Sequence, residues 1–161
     1  MVGLWRKILR TGRVAEPAPG RPGYGVPAVA AELGGSVQVR HVDAGSCNGC
    51  EVEIASAFGP VYDAERYGAR LVASPRHADA LLVTGPVTRN MAEPLRRTYD
   101  AVPGPKAVVA VGDCARNCGV FAGAYGVTGA VRDVVPVELE IEGCPPRPEA
   151  IVEGLRRLTG R

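Results

Sequence analysis

The stretch SVQVRHVDAGSCNGC, residues 36–50, joins an alternating apolar segment to a turn of small residues that carries two cysteines. Valines recur along residues 36–42, which predicts a β-strand. Glycine, serine and asparagine then end the strand, and a helix is predicted over residues 50–58. A strand, a glycine-containing turn and a helix in this order are typical of an α/β domain.

The same alternation of strands and helices continues to the end of the chain. Predicted strands cover residues 36–42, 69–73, 79–84, 106–111 and 135–141, and predicted helices cover 50–58, 91–101 and 147–159. Because parallel strands need crossover connections and bury both faces, this order predicts a doubly wound, flavodoxin-like α/β fold with a parallel sheet. A length of 161 residues with 46% hydrophobic residues suits one such domain, which we expect over residues 36–161.

The first 35 residues have a different pattern, and we expect them to form an N-terminal helix and arm. Residues 2–13 predict an amphipathic helix that lies on a partner or membrane surface, or rests on its own domain. Four prolines in residues 16–27 predict an extended arm that cannot continue the helix. The apolar face of the helix carries Val2, Leu4, Trp5, Ile8 and Leu9, and Arg6, Lys7, Arg10 and Arg13 lie largely on the other face.

Composition excludes several classes of function. A net charge of +2 and the lack of an RNA-binding or zinc-finger pattern argue against a nucleic-acid partner. No apolar run reaches the roughly 18 residues that span a bilayer, and no secretory signal is evident, so we expect a cytoplasmic chain. In that compartment, five cysteines indicate metal ligands or core thiols rather than a disulfide framework.

All five cysteines directly follow predicted strands. Cys47 and Cys50 follow the first strand, Cys114 and Cys118 follow the strand at 106–111, and Cys144 follows the last. The carboxyl ends of parallel strands lie along one edge of a sheet, where open α/β folds bind ligands. Cysteines that served only as core thiols would fall inside strands or on buried helix faces. We therefore expect the cysteines to converge on one site.

Four thiolates suit either a zinc ion or an iron–sulfur cluster. Zinc sites usually contain two close cysteine pairs, whereas this chain has one Cys-x-x-Cys pair and single cysteines elsewhere. Cys144 precedes a proline, as ligands of ferredoxin-type clusters often do. These features favour a [4Fe-4S] cluster; a zinc-stabilised binding module stays open, and a flavin-binding protein would leave the cysteines unexplained. Five glycines would let the backbone approach a bulky cluster: Gly45, Gly49, Gly112, Gly119 and Gly143.

Four segments together resemble a known family. DAGSCNGCEVEI, VTGPVTRNMAEPL, AVGDCARNCGVF and EGCPPRPEAI are similar, in this order, to segments of a small electron-transfer subunit. Membrane-bound [NiFe]-hydrogenases of the formate hydrogenlyase and energy-converting type share that subunit with complex I, the NADH-quinone oxidoreductase. The resemblance covers residues 36–157, and the N-terminal LWRKILRTGRVAEPAP resembles the hydrogenase members.

The resemblance implies a set of cluster ligands. Cys47 and Cys50 match the first cysteine pair of the family, Cys114 matches its G-x-C-A-x-x-G-G segment and Cys144 matches its G-C-P-P segment. Cys118 stands where the family usually has a glycine. It is therefore expected to be a neighbouring or incidental thiol, with ligation in place of Cys114 as the alternative.

The resemblance also implies a function. Hydrogenase-type members resemble this chain in their Cys-x-x-Cys pair, whereas complex I members carry adjacent cysteines. The nickel–iron centre of the family needs two such pairs, so the catalytic metal is expected on a large partner subunit. The implied role is to relay electrons between a ferredoxin-like subunit and that large subunit, next to membrane subunits at the cytoplasmic face of the cell membrane. A complex I-like small subunit that delivers electrons to quinone is the alternative.

Other residues near the cysteines have weaker predicted roles. Glu51 and Glu53 flank the first pair and could take up a proton when a cluster is reduced, or could be structural acids at a helix start. His41 and His77 show no partner spacing and are expected to be structural or exposed. TGPVT, residues 84–88, is expected to pack against the cluster pocket.

Overall fold

We describe the fold from a computed structural model of the chain, which describes residues 2–12 and 32–161. A parallel sheet of five strands lies at the centre, in the order β2-β1-β3-β5-β7. A small antiparallel pair, β4 with β6, lies apart from it. The strands are β1 (Val37–Asp43), β2 (Ala69–Leu71), β3 (Ala80–Thr84), β4 (Val87–Thr88), β5 (Ala107–Val111), β6 (Val127–Gly129) and β7 (Leu139–Ile141). The helices are α1 (Val2–Thr11), α2 (Gly49–Ala57), α3 (Arg89–Ala101), α4 (Asp113–Asn117) and α5 (Pro148–Thr159).

Helices cover both faces of the sheet, so the fold is the doubly wound α/β class that the sequence predicts. Every residue of β3 and β5 is buried, because these strands have neighbours on both sides and helices on both faces. Alternate residues of each strand enter different cores. The core under α2 and α5 includes Ile54, Leu82, Val109, Ile151 and Leu155, and the core under α3 and α4 includes Leu81, Leu95, Val108 and Ala115.

The strand order creates a switch point between β1 and β3. The chain leaves β1 to form β2 on one side and then returns to form β3 on the other side. Connections that diverge in this way open a crevice beyond the carboxyl ends of the two strands, where α/β folds bind ligands. The first cysteine pair follows β1 directly and therefore lies at this crevice.

The prediction of a strand over residues 135–141 is wrong for its first part. Only Leu139–Ile141 form β7, while Val131–Asp133 form a short 3₁₀ helix and Val135 is buried in the second core. Pro136 has no backbone N–H to donate to a neighbouring strand, which explains why pairing begins later. The two-residue and three-residue strands β4 and β6 are too short to show a periodicity, and the sequence did not predict them.

The N-terminal helix is found at Val2–Thr11, and residues 3–12 are all exposed. The proline-rich arm at 16–27 lies outside the described residues, so the division into 1–35 and 36–161 stays a prediction. Within the described parts of the chain, no helix is long and apolar enough to cross a membrane.

Candidate metal centre

The first cysteine pair lies in a loop that Asp43 organises at the end of β1. Its Oδ1 accepts hydrogen bonds from the backbone N–H groups of Gly45 and Ser46, each at 2.8 Å. These bonds turn the chain sharply before α2 begins. Cys47 is consequently exposed in the loop, and Cys50 is buried on the first turn of α2.

Cys114 and Cys144 come from two loops that are bonded to each other. The N–H of Asp113 donates to the carbonyl of Gly143 at 2.8 Å, and the N–H of Gly143 donates back to Asp113 Oδ1 at 3.0 Å. Gly112, between β5 and α4, donates to a β7 carbonyl at 2.8 Å. Cys114 is therefore buried on α4, opposite an exposed Cys144.

The charges of four cysteines act on one another. Burial raises the pKa of the Cys50 thiol, and together with the negative charges of Glu51, Cys114, Cys47 and Cys144, in that order of size, it brings that pKa to about 12. Burial also raises the pKa of Cys114, with contributions from Cys144 and Cys47. The structure thus brings together the four cysteines that the resemblance implies as ligands. A bound cationic centre would relieve this cost by stabilising the thiolates.

The charge interaction among the four cysteines does not include Cys118. Burial raises the pKa of its thiol, and among the described residues the charge of Asp133 adds to the shift. Its backbone has φ 67°, in the left-handed region that glycine adopts without strain. A glycine would adopt this backbone conformation without strain. That Cys118 is not a ligand stays a prediction.

Glycines bring the backbone against two of the thiols. Gly112 has φ 89°, and a Cβ atom there would lie 2.7 Å from Cys50 Sγ. Gly119 has φ 47°, and a Cβ atom there would lie 3.2 Å from Cys114 Sγ. Side chains at these two positions would crowd the sulfur atoms. The lack of a side chain at Gly112 and Gly119 therefore lets the backbone approach both sulfur atoms closely.

Four cysteine thiols are a donor set that either a zinc ion or an iron–sulfur cluster can take. Within residues 2–12 and 32–161, no group of three or more His, Cys, Asp or Glu side chains is arranged to hold one metal ion. Tetrahedral zinc would need sulfur atoms about 3.8 Å apart, given a Zn–S distance of about 2.3 Å. An iron–sulfur cluster takes one thiolate on each of four irons, so four cysteines from three loops suit it as well.

A hydrogen-bonded group of Glu51, Thr84 and His41 lies beside Cys50. Thr84 Oγ1 donates to Glu51 Oε1, and His41 Nε2 lies 3.0 Å from Thr84 Oγ1 and 3.5 Å from Glu51 Oε1. Burial lowers the pKa of His41, and the charges of Glu51 and Asp43 oppose that shift. Glu51 Oε2 is buried without a hydrogen-bond partner among the described residues. Glu51 is therefore a partly buried acid rather than a solvated one.

The sequence did not predict this group, although strand alternation contains the signal. Alternate residues of β1 and β3 enter the same core as Cys50, including Val39 and Leu82. His41 and Thr84 continue these two series toward the carboxyl ends of their strands. His41 therefore has two polar partners that its sequence spacing does not indicate, and they are consistent with the structural role expected for it. His77 is exposed, as predicted.

The TGPVT loop packs against the loop that carries Cys47, in line with its predicted position. A Cβ atom on Gly85 would lie 2.4 Å from the backbone nitrogen of Ser46. A Cβ atom on Gly45 would lie 2.3 Å from Thr88 Cγ2. The N–H of Ala44 also donates to the carbonyl of Thr84 at 2.9 Å. These contacts hold the first cysteine loop to β3 and β4.

Arg116 ties the helix of Cys114 to the strand and loop that precede Cys144. Its guanidinium lies 2.8 Å from Glu142 Oε1, 3.3 Å from Glu140 Oε2 and 3.3 Å from Asp113 Oδ1. We expect Arg116→Met to loosen the Cys144 loop, so that a cluster bound there would lose iron to a chelator several-fold faster than in the wild-type protein. Iron release to an iron chelator under anaerobic conditions measures this rate.

Arg97→Met is the matched control, because Arg97 pairs with Glu93 on the exposed side of α3 at 2.8 Å. Exposed pairs of this kind contribute little to stability. Equal rates of iron release from the two variants would show that Arg116 does not hold the loop.

Residues 47–158 match the family described as the NADH ubiquinone oxidoreductase 20 kDa subunit. The chain belongs to this family. The match begins at the first cysteine of the site and ends within α5, so it contains all three cysteine loops. The resemblance seen in the sequence is therefore confirmed at the level of the family.

Curated relatives include both hydrogenase and complex I subunits. The probable membrane-bound hydrogenase subunit mbhJ of Pyrococcus furiosus is 49% identical over 123 residues, covering 76% of this chain and 74% of the relative. Formate hydrogenlyase subunit 7 of Escherichia coli is 46% identical over 78% of this chain, which spans about half (49%) of that relative. An NADH-quinone oxidoreductase subunit of Herpetosiphon aurantiacus is 46% identical over 68% of this chain and 61% of its own length.

Solved structures show the same fold. A chain of the membrane-bound sulfane sulfur reductase, an archaeal respiratory membrane complex, is 33% identical with a TM-score of 0.70, covering 83% of this chain and 74% of that chain. A chain of an NAD⁺-reducing [NiFe]-hydrogenase is 21% identical with a TM-score of 0.61, covering 78% and 93% respectively, and supports the fold alone. The protein is thus an oxidoreductase component, a module of the hydrogenase type or of the complex I type.

Proposed function

We propose that this chain carries one [4Fe-4S] cluster on Cys47, Cys50, Cys114 and Cys144. The cluster would relay electrons between a ferredoxin-like subunit and a large catalytic subunit of a membrane-bound [NiFe]-hydrogenase-type complex. The observation that carries this proposal is the convergence of four thiols, from three loops at one sheet edge, whose charges act on one another. Cys118, the fifth cysteine, is absent from that group.

The four thiols differ in their exposure to solvent. Cys50 and Cys114 are buried, whereas Cys47 and Cys144 are exposed. A bound cluster supplies a one-electron carrier, and its potential depends on burial and on hydrogen bonds to sulfur. The two buried ligands would exclude water from one side of the centre. The two exposed ligands would place its other side at the surface, where a partner can approach closely enough to exchange electrons.

Apolar side chains near this edge support a protein partner there. Val52, two residues after Cys50, is 59% exposed. Val120 and Tyr125 follow Cys118 and are 83% and 84% exposed, and the guanidinium of Arg89 lies 4.3 Å from the Tyr125 ring. Exposed apolar and aromatic side chains around a site often mark a protein interface. We assign this surface to the large catalytic subunit.

The catalytic partner decides between two branches of the family. The Cys-x-x-Cys spacing favours the hydrogenase type, and the Pyrococcus and Escherichia relatives carry hydrogenase or hydrogenlyase names. A complex I-like role, with electrons passing to quinone, is the second candidate because the NADH-quinone oxidoreductase relative from Herpetosiphon is 46% identical. In either case we place the chain on the cytoplasmic face of the cell membrane, next to membrane subunits.

The first test is anaerobic purification of the full chain with iron, sulfide and zinc analysis. We expect about four irons and four sulfides per chain, with visible absorption that bleaches on reduction by dithionite and an EPR signal in the reduced form. A colourless protein with about one zinc would overturn the cluster and leave a structural zinc module. Activity assays of the intact complex would then separate the two branches. Hydrogen evolution would support the hydrogenase type, and quinone reduction would support the complex I type.

A further inference from the structure

Helix α1 presents a continuous apolar stripe to its surroundings. Leu4, Trp5, Ile8 and Leu9 are 65%, 68%, 51% and 81% exposed. Residues four apart on a helix are neighbours, so these four side chains lie together on one side. No part of the chain that the structure describes buries this stripe. Four large apolar side chains exposed on a helix of ten residues are expected to be covered by something else.

The charged residues of α1 are all basic. Arg6, Lys7 and Arg10 lie outside the stripe, and the helix contains no acidic residue. At about 100° per residue, Arg6 borders the stripe beside Leu9, and Lys7 flanks its other side near Leu4. Arg6 and Arg10 are also four residues apart, and like charges at that spacing destabilise a helix unless an anion neutralises them. The polar side of α1 therefore suits a surface of negative charge.

We infer that α1 binds an anionic phospholipid surface and lies in the plane of the bilayer interface. A helix with Trp and Leu on one side and Lys and Arg on the other is the pattern of an interfacial helix. The stripe would enter the boundary between headgroups and acyl chains. Trp favours that depth, and the flanking Arg6 and Lys7 can extend their charged ends back to the phosphates. The attraction to anionic lipid comes from Arg6, Lys7 and Arg10.

Charge complementarity is the reason for choosing lipid over a protein groove as the occupant. Three cations on a helix that contains no acidic residue match a uniformly anionic surface. One short helix binds weakly, so α1 would add to the docking of the whole complex rather than anchor it alone. The inference does not depend on the cluster, because none of the four cysteines takes part in it.

Trp5 makes this inference directly measurable, because it is the only tryptophan among the 161 residues. Intrinsic tryptophan fluorescence of the full chain therefore reports on α1 alone. With vesicles of phosphatidylcholine and phosphatidylglycerol we expect a blue shift, quenching by brominated acyl chains, and loss of both at high salt. With vesicles of phosphatidylcholine alone we expect binding to be much weaker.

Two variants test the two sides of the helix. Leu9→Glu should weaken partition into the anionic vesicles by about tenfold or more. Arg6→Gln combined with Arg10→Gln should weaken it by about thirtyfold and remove the preference for anionic lipid. Val61→Glu is the matched control, since Val61 is 82% exposed but lies in the α/β domain, and it should bind like the wild-type chain.

An unchanged Trp5 spectrum with anionic vesicles, or equal binding to both kinds of vesicle, would overturn the inference. If Trp5 became shielded only in the intact complex after delipidation, the stripe would belong to a protein partner instead. Iron and sulfide content are measured in a separate experiment. Neither of these two outcomes for α1 would therefore bear on the proposed cluster.

Discussion

Cys50→Ala is expected to reduce the iron content of the anaerobically purified chain from about four to below about one per chain. Cys50 is one of two buried thiols in the group of four, and its removal would leave an iron without a ligand on the side that excludes water. Alanine replacement of Cys47, Cys114 or Cys144 should have the same direction of effect. Iron and sulfide analysis with visible absorption measures the loss.

Cys118→Gly is the matched control for this series. The left-handed backbone at Cys118 accepts glycine without strain, and its thiol is influenced by Asp133 rather than by the other cysteines. We therefore expect this variant to keep its iron. The assigned ligand set would be wrong if Cys118→Gly lost iron while Cys114→Ala retained it.

Gly112→Ala is expected to lower the free energy of unfolding by about 2–5 kcal/mol, which corresponds to a fall in melting temperature of about 5–15 °C. Two costs combine at this position. The residue adopts φ 89°, which strains any L-amino acid, and the new Cβ atom would lie 2.7 Å from Cys50 Sγ. Because Cys50 must move away, we also expect the iron content to fall. Anaerobic thermal unfolding and iron analysis measure the two effects.

Gly126→Ala separates the cost of a close approach from the general cost of replacing a glycine. A Cβ atom at Gly126 has no neighbour within 4 Å, and its φ does not lie in the left-handed range. The change in stability should stay within about 0.5 kcal/mol. Similar effects from the two substitutions would mean that Gly112 is not constrained by the thiol beside it.

The strands that the sequence predicted best are those that the sheet buries completely. β3 and β5 are buried on both faces, so almost all of their residues are apolar. Each strand is therefore visible in the sequence as a short continuous apolar run. The last strand was predicted too long because apolar residues near Val135 pack in the core without pairing in the sheet. Apolar character reports burial, whereas strand pairing also needs a free N–H in the correct register.

The polar groups around the site were harder to predict. Arg116 meets acids that follow it by 24 and 26 residues, and Glu51 meets Thr84, which is 33 residues away. No local spacing indicates such partners. They are neighbours only because α4 and α2 begin at the same edge of the sheet as the strand ends they contact.

The sequence by itself determined the chain order of the five central strands and of α2, α3 and α5, the parallel sheet and the position of every cysteine beyond a strand end. These features depend on local patterns of apolar residues and glycines, which act over a few residues. The tertiary structure alone decided that the charges of four thiols act on one another while Cys118 lies apart, and that Glu51 is partly buried beside His41. Burial and charge interaction depend on distances between loops that are far apart in the chain, and only packing establishes those distances.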